Sequence, residues 1–145
     1  LCHFYIIIEG RIKVYRYNPE TNREQTLYLL GPHDMFDVLT VFDGRRHEVL
    51  TEALDDVKAL ELPIEKVREW LQTNPAFNRA FFPYMARQMR QVEELATDLS
   101  LYDTSTRLMK LILKNLDLKD PVKHLGLLQN LPHEEIASMI GTVRH

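Results

Sequence analysis

Cysteine is almost absent from this 145-residue chain, with Cys2 as its single representative. No internal disulfide can form, and neither a Cys-x-x-Cys pair nor a Cys/His set at zinc spacing exists, so no metal site is expected. Long apolar runs are missing too. No stretch approaches the ~20 residues needed to cross a bilayer, and no leader pattern opens the chain. Together these absences favour a cytoplasmic, reducing setting without a membrane partner. There is also no paired-carboxylate, nucleophile–base or phosphate-loop arrangement, so an enzyme is not expected. A general excess of positive charge is lacking, since the net charge is −3. The charge is unevenly placed, however. Residues 1–102 carry 12 basic and 16 acidic side chains, whereas residues 103–145 carry 6 and 5, so the C-terminal part is not repelled by phosphate.

What is present is an ordinary globular composition, 45% hydrophobic and 27% charged, sufficient for a core without disulfides. The first half reads as short strands broken by turns. Residues 4–8 form an apolar run that ends at Glu9-Gly10, a turn signal. Residues 11–17 alternate, with Ile12, Val14 and Arg16 on one face and Lys13, Tyr15 and Tyr17 on the other. Further strands are expected over 24–30, 47–54 and 57–62, with a short mixed one over 35–42. Turn spacing of this kind predicts a β-roll or sandwich. Leu1 opens almost directly into a strand and His145 closes inside an expected helix, so strands before Leu1 and helix after His145 are expected.

The period then changes. After Pro63, Ile64, Val67, Trp70 and Leu71 recur at helical spacing, and Asn74-Pro75 ends that helix and starts another. Pro83 is expected to open a new helix or kink the existing one. Beyond it, Met85, Met89, Val92, Ala96 and Leu99 step by four and three, with Leu95 beside them. This narrow heptad seam, flanked by polar residues, suits pairing with a second copy; packing on the chain's own β-roll is the alternative. Asp103 can cap a further helix carrying Leu108, Leu111, Ile112 and Leu116, after which residues 119–130 read as irregular or a short hairpin.

The sharpest signal lies at the end. Ile136 and Ile140 share a helical face, with Ala137 beside them, small enough for a second helix to cross closely; Gly141 follows where a positive φ suits only glycine. Thr142 can then cap a new helix. This is a helix-turn-helix pattern, whose second helix would enter the major groove with Arg144 among its first residues. Arginine's fork matches O6 and N7 of guanine. An ordinary helix ending at glycine beside a surface arginine is the alternative reading.

Taken in order, Tyr5-Ile6-Ile7-Ile8-Glu9-Gly10-Arg11-Ile12-Lys13-Val14-Tyr15, Asp34-Met35-Phe36, the heptad helix and the segment from His133 to Arg144 resemble the CRP/FNR family of bacterial regulators. The resemblance implies an α+β chain: a cyclic-nucleotide-binding-type β-roll over 1–74, a dimerisation helix over 75–102 and a winged helix-turn-helix over 103–145, cut within its recognition helix. It implies a homodimeric transcription regulator, acting as activator or repressor on near-palindromic double-stranded DNA with RNA polymerase as a further partner. Thr142, Arg144 and His145 would meet DNA. His145 stands where the family often has a glutamate, which changes the expected half-site. The dimer interface would comprise Met85, Met89, Val92, Leu95, Ala96 and Leu99, and residues 100–103 would form a hinge.

Relatives that bind cyclic AMP carry a Gly-Glu pair and then an Arg-Ser pair around the phosphate. Here the first pair reads Asp37-Val38, and the second falls at His47-Glu48 or Glu48-Val49. Arg45 and Arg46 are either displaced phosphate ligands or a solvated turn, and Glu48 would repel a phosphate. The adenine-facing Thr-Ser pair is replaced by Val92-Glu93. The expected effector pocket is therefore Asp37, Arg45, Arg46, His47, Glu48 and Val92, without tight cyclic-AMP binding. Haem ligands of the carbon-monoxide-sensing branch would fall near Asp37 and Leu39, neither suited to the iron. An iron-sulfur cluster is disfavoured by the lone Cys2. Two other readings stay open: a haem- or gas-sensing member answering nitric oxide or redox state, using His33 or His3, and a dimeric interaction module that no longer reads DNA.

Overall fold

Gly10, at φ +81°, reverses the chain between the first two strands, and a Cβ there would lie 2.3 Å from the Asp56 carbonyl oxygen. Only glycine fits so close a backbone approach. In the computed structural model, which describes residues 3–116 and 125–142, this turn joins two three-stranded antiparallel sheets. In one, β1 (His3–Glu9) lies between β4 (Met35–Phe36) and β6 (Lys58–Pro63). In the other, β2 (Ile12–Asn18) lies between β3 (Arg23–Leu30) and β5 (Leu50–Ala53). Ile7, Val14 and Leu30 meet in a buried cluster between the sheets. The expected alternation along β2 thus directs Val14 inward.

Five helices are described: α1 (Val38–Asp43), α2 (Ile64–Thr73), α3 (Pro75–Leu101), α4 (Thr104–Asn115) and α5 (His133–Ile140), with a 3-10 turn at Gly126–Leu128 before α5. Phe4 of β1 packs with Val38, Val41, Ile64, Val67, Phe81 and Tyr84. One face each of α1, α2 and α3 is thereby buried against the first sheet. Asn74 accepts a hydrogen bond from the Phe77 N–H at 3.0 Å and Pro75 follows it, a combination that starts a helix firmly. Asp103 caps α4 through the Thr106 N–H at 2.8 Å.

Several sequence expectations change. Residues 35–42 do not form one short strand: β4 stops at Phe36, Asp37 adopts φ +69°, and α1 begins at Val38. The left-handed residue breaks the strand, and the three-residue spacing of Val38 and Val41 lets both enter the core as a helix. The strands expected over 47–54 and 57–62 are Leu50–Ala53 and Lys58–Pro63. Pro83 does not open a new helix; α3, 27 residues long, runs through it. Buried Phe81 and Tyr84 flank it, and their packing offsets the missing backbone donor. Of residues 119–130, those from 119 to 124 lie outside the described residues, and Gly126–Leu128 form the 3-10 turn.

Candidate functional site

Two features stand out, a cavity beside α3 and the docking of α5 on the second sheet. The cavity has a volume of about 340 Å³. The β-roll side supplies Leu30, Met35, Phe36, Asp37, Leu39 and His47, and α3 supplies Met85, Gln88, Met89, Val92 and Glu93. Tyr84 fixes these two walls together. Its hydroxyl donates to the Met35 carbonyl at 2.9 Å, accepts from the Met35 N–H at 2.9 Å, and accepts from Gln88 at 2.7 Å. Burial pushes the Tyr84 hydroxyl well above the usual tyrosine pKa, so it remains a proton-bearing bridge.

On the β-roll side of the cavity, Asp37 and His47 lie close together. Thr40 donates to Asp37 at 2.5 Å, and His47 Nδ1 stands 4.0 Å from the same carboxylate oxygen. The His47 ring stacks on Phe36. Its Nδ1 is buried without a hydrogen-bond partner among the described residues. Burial lowers the His47 pKa; nearby Asp37 opposes this and Arg16 adds to it. The imidazole is therefore held towards its neutral form.

Of the residues expected around an effector, Asp37, His47 and Val92 line this cavity, whereas Arg45, Arg46 and Glu48 do not. The two arginines and Glu48 lie exposed in the segment after α1, which Gly44 ends at φ +70°. Asp37 occupies a backbone conformation that glycine adopts freely and other residues adopt at a cost. That preference links it to the glycine of the Gly-Glu pair, with a carboxylate added.

The seam residues separate into groups. Met89, Val92 and Leu99 are exposed at 62%, 41% and 39%, and Ala96 is exposed beside them. Met85 instead packs against the chain's own core. Leu95 is turned into a second cleft, about 630 Å³, bounded by β3, α3, α4 and α5. Phe82, 53% exposed, precedes Met89 by one heptad and extends the exposed stripe. The same seven-residue spacing could have revealed it in the sequence.

At the C-terminal side, α5 lies on β3. Thr26 and Ser138 share a buried hydrogen bond at 2.8 Å, Gln25 donates to the Met139 carbonyl at 3.2 Å, and Arg23 donates to the Gly141 carbonyl at 2.9 Å. Lys13, 2% exposed, is surrounded by Glu135, Glu24 and Glu52 at 2.9, 3.0 and 3.2 Å. Burial alone would lower the Lys13 pKa, but hydrogen bonds to these carboxylates outweigh it and hold the ammonium above the ordinary lysine value. Gly141 ends α5 at φ +70°, and its N–H and that of Thr142 both reach the Ala137 carbonyl. This is the left-handed helix ending expected of a helix-turn-helix corner. Thr142 follows, half-buried; Arg144 and His145 lie outside the described residues.

The comparisons agree with this geometry. Residues 1–74 match the cyclic nucleotide-binding domain family. The CRP-like cAMP-activated global transcriptional regulator of Mycobacterium tuberculosis is 30% identical over 143 residues, which cover 97% of this chain and 63% of that protein. The chain belongs to the CRP/FNR family. The global nitrogen regulator of a Nostoc species is 27% identical over 144 residues, covering 97% of this chain and 64% of that protein. Among solved structures, the c-di-GMP responsive global regulator CLP of Xanthomonas campestris superimposes with a TM-score of 0.77 at 18% identity, covering 97% of this chain and 71% of that one. The chain thus spans less than two thirds of the length of these two curated relatives. The α+β architecture is that of the family, with a β-roll ahead of a long helix.

Proposed function

We propose that the full-length protein is a homodimeric, DNA-binding transcription regulator of CRP/FNR type whose effector is not cyclic AMP. The observation that carries this reading is the course of α3. The helix borders the effector cavity, exposes an apolar stripe, and leads to the segment that holds α5. A second copy of α3 is the natural cover for the stripe, because its three- and four-residue steps suit knobs-into-holes packing. Two copies of the helix-turn-helix would then face a near-palindromic site. Thr142, Arg144 and His145 are proposed to meet DNA, with RNA polymerase as the onward partner. The proposed units are 1–74, 75–102 and 103–145.

The case against cyclic AMP comes from the cavity wall. Asp37 and Glu93 line it, and a phosphate there would meet two carboxylates where, among the described residues, no lysine or arginine lines the wall. Of the expected hinge at 100–103, Ser100 and Leu101 belong to α3, and Tyr102 and Asp103 are proposed to be the hinge through which an occupied cavity biases the position of α4 and α5. Among the described residues no helix is long and apolar enough to cross a membrane, and the proposed setting is the cytoplasm.

Selection from random duplexes with the full-length protein tests this reading. Enrichment of a two-fold symmetric sequence is expected, with affinity unchanged by cyclic AMP. Recovery of no preferred duplex would overturn the assignment.

A further inference from the structure

The effector cavity combines an apolar lining with polar groups from Asp37, His47, Gln88, Glu93 and Tyr28. Asp37 is held at φ +69°, with its carboxylate at the cavity wall and only 18% exposed. Thr40 occupies Oδ1, but an ionised carboxylate accepts several hydrogen bonds. The buried Nδ1 of His47 has no partner among the described residues. Glu93 adds a second carboxylate at the α3 side, and among the described residues no lysine or arginine lines the cavity.

We propose that this cavity takes a small apolar ligand bearing one protonated amine, with the ammonium seated between Asp37 and His47 and the apolar body against Phe36, Leu39, Met85 and Met89. The proposal rests on the reading of this cavity as the effector site and names the chemistry of its occupant. An ammonium offers three donors and no acceptor, matching a carboxylate and a neutral imidazole nitrogen. Burial keeps His47 towards the neutral form, so its ring does not repel the cation. An anion would instead face Asp37 and Glu93 in the lining, with the Arg16 charge reaching His47 only from outside it. The volume of about 340 Å³ lies at the small end of the ~300–1,000 Å³ range of ligand pockets. An aryl-alkyl amine suits it. Binding would join the β-roll wall to α3 through Met85 and Met89, coupling the ligand to the helix that carries the exposed stripe.

Isothermal titration of the full-length protein with tryptamine, phenethylamine and hexylamine, each beside its isosteric carboxylic acid, tests the proposal. Cyclic AMP is included as the anionic reference. At least one amine is expected to bind roughly tenfold or more tightly than its acid, as a charge-assisted hydrogen bond allows. Asp37→Asn, which keeps the side-chain shape and tolerates the left-handed backbone, is expected to abolish that preference. Equal or tighter binding of the acids or of cyclic AMP would overturn the proposal. So would failure of all three amines at millimolar concentration, or an undiminished preference in Asp37→Asn. Sedimentation and duplex binding by the same preparation report separately on the regulator reading. A dimer that binds DNA without preferring amines refutes the ligand class alone; amine binding by a monomer without DNA affinity refutes the regulator reading alone.

Discussion

Lys13 of β2 holds Glu135 of α5 at 2.9 Å, across 122 residues of sequence. With Glu24 and Glu52 also in reach, one ammonium serves three carboxylates. Removing it leaves Glu135, only 14% exposed, beside like charges. Lys13→Ala is expected to cost about 2 kcal/mol. That is less than the ~3–5 kcal/mol of a fully buried pair, because Glu24 and Glu52 remain partly hydrated. Glu135→Ala should release α5 without disturbing the sheet around β1. Hydrogen exchange checks this: residues 133–140 should exchange faster, while β1 and β6 stay protected.

A second prediction concerns the end of α5. Gly141 has φ +70°, and a Cβ there would approach the ends of Leu99 and Gln25 at 2.5 and 2.6 Å. Those side-chain ends can move, but the backbone preference remains. Gly141→Ala is therefore expected to destabilise by about 1–2 kcal/mol, read from the shift in the urea midpoint at constant m-value.

The sequence made some of this legible and hid the rest for physical reasons. The Glu9-Gly10 reversal, the change of period after Pro63 and the Gly141 corner are local patterns, visible in a few adjacent residues. Lys13 was not legible as a buried ion. Alternation places it opposite Val14, but only a helix more than a hundred residues later covers that face. The Tyr84–Met35 bridge escapes for the same reason, spanning 49 residues. Helix α1 is too short, at six residues, for periodicity to separate it from a strand. Of the expected effector residues, Asp37, His47 and Val92 meet at the cavity while Arg45, Arg46 and Glu48 do not. Spacing alone could not see that Arg45, Arg46 and Glu48 stay exposed while His47 between them reaches the cavity.

The Tyr84 bridge yields a third prediction. Tyr84→Phe keeps the packing of the ring but leaves the Met35 N–H and carbonyl without the hydroxyl they share. Unpaired backbone groups in a half-buried strand cost about 1–3 kcal/mol. The variant should unfold at lower denaturant by a shift in that range. Ligand binding in the adjacent cavity should weaken with it, because β4 and α3 lose their tie.

His47 sets a pH dependence. Burial holds its folded pKa below the ordinary histidine value, against the pull of Asp37 and with the help of Arg16. Between those two values the unfolded chain binds more protons than the folded one, so stability rises with pH there. The contribution is fully present above the ordinary histidine pKa of about 6.5 and is lost as pH falls through the folded value. Denaturant titrations from pH 7.5 down to about 5 should show stability falling more steeply in wild type than in His47→Gln. Parallel curves would contradict this.

The exposed stripe on α3 is the central claim, and a charge placed in it tests that claim most directly. Val92 and Ala96 both lie on the stripe, and Ala96 lies away from the effector cavity. Sedimentation velocity of full-length wild type, Val92→Asp and Ala96→Asp at micromolar concentration is the decisive measurement. The account predicts a wild-type dimer and two folded monomeric variants that have lost affinity for the selected duplex. A monomeric wild type, or dimers that persist in both variants, would contradict it.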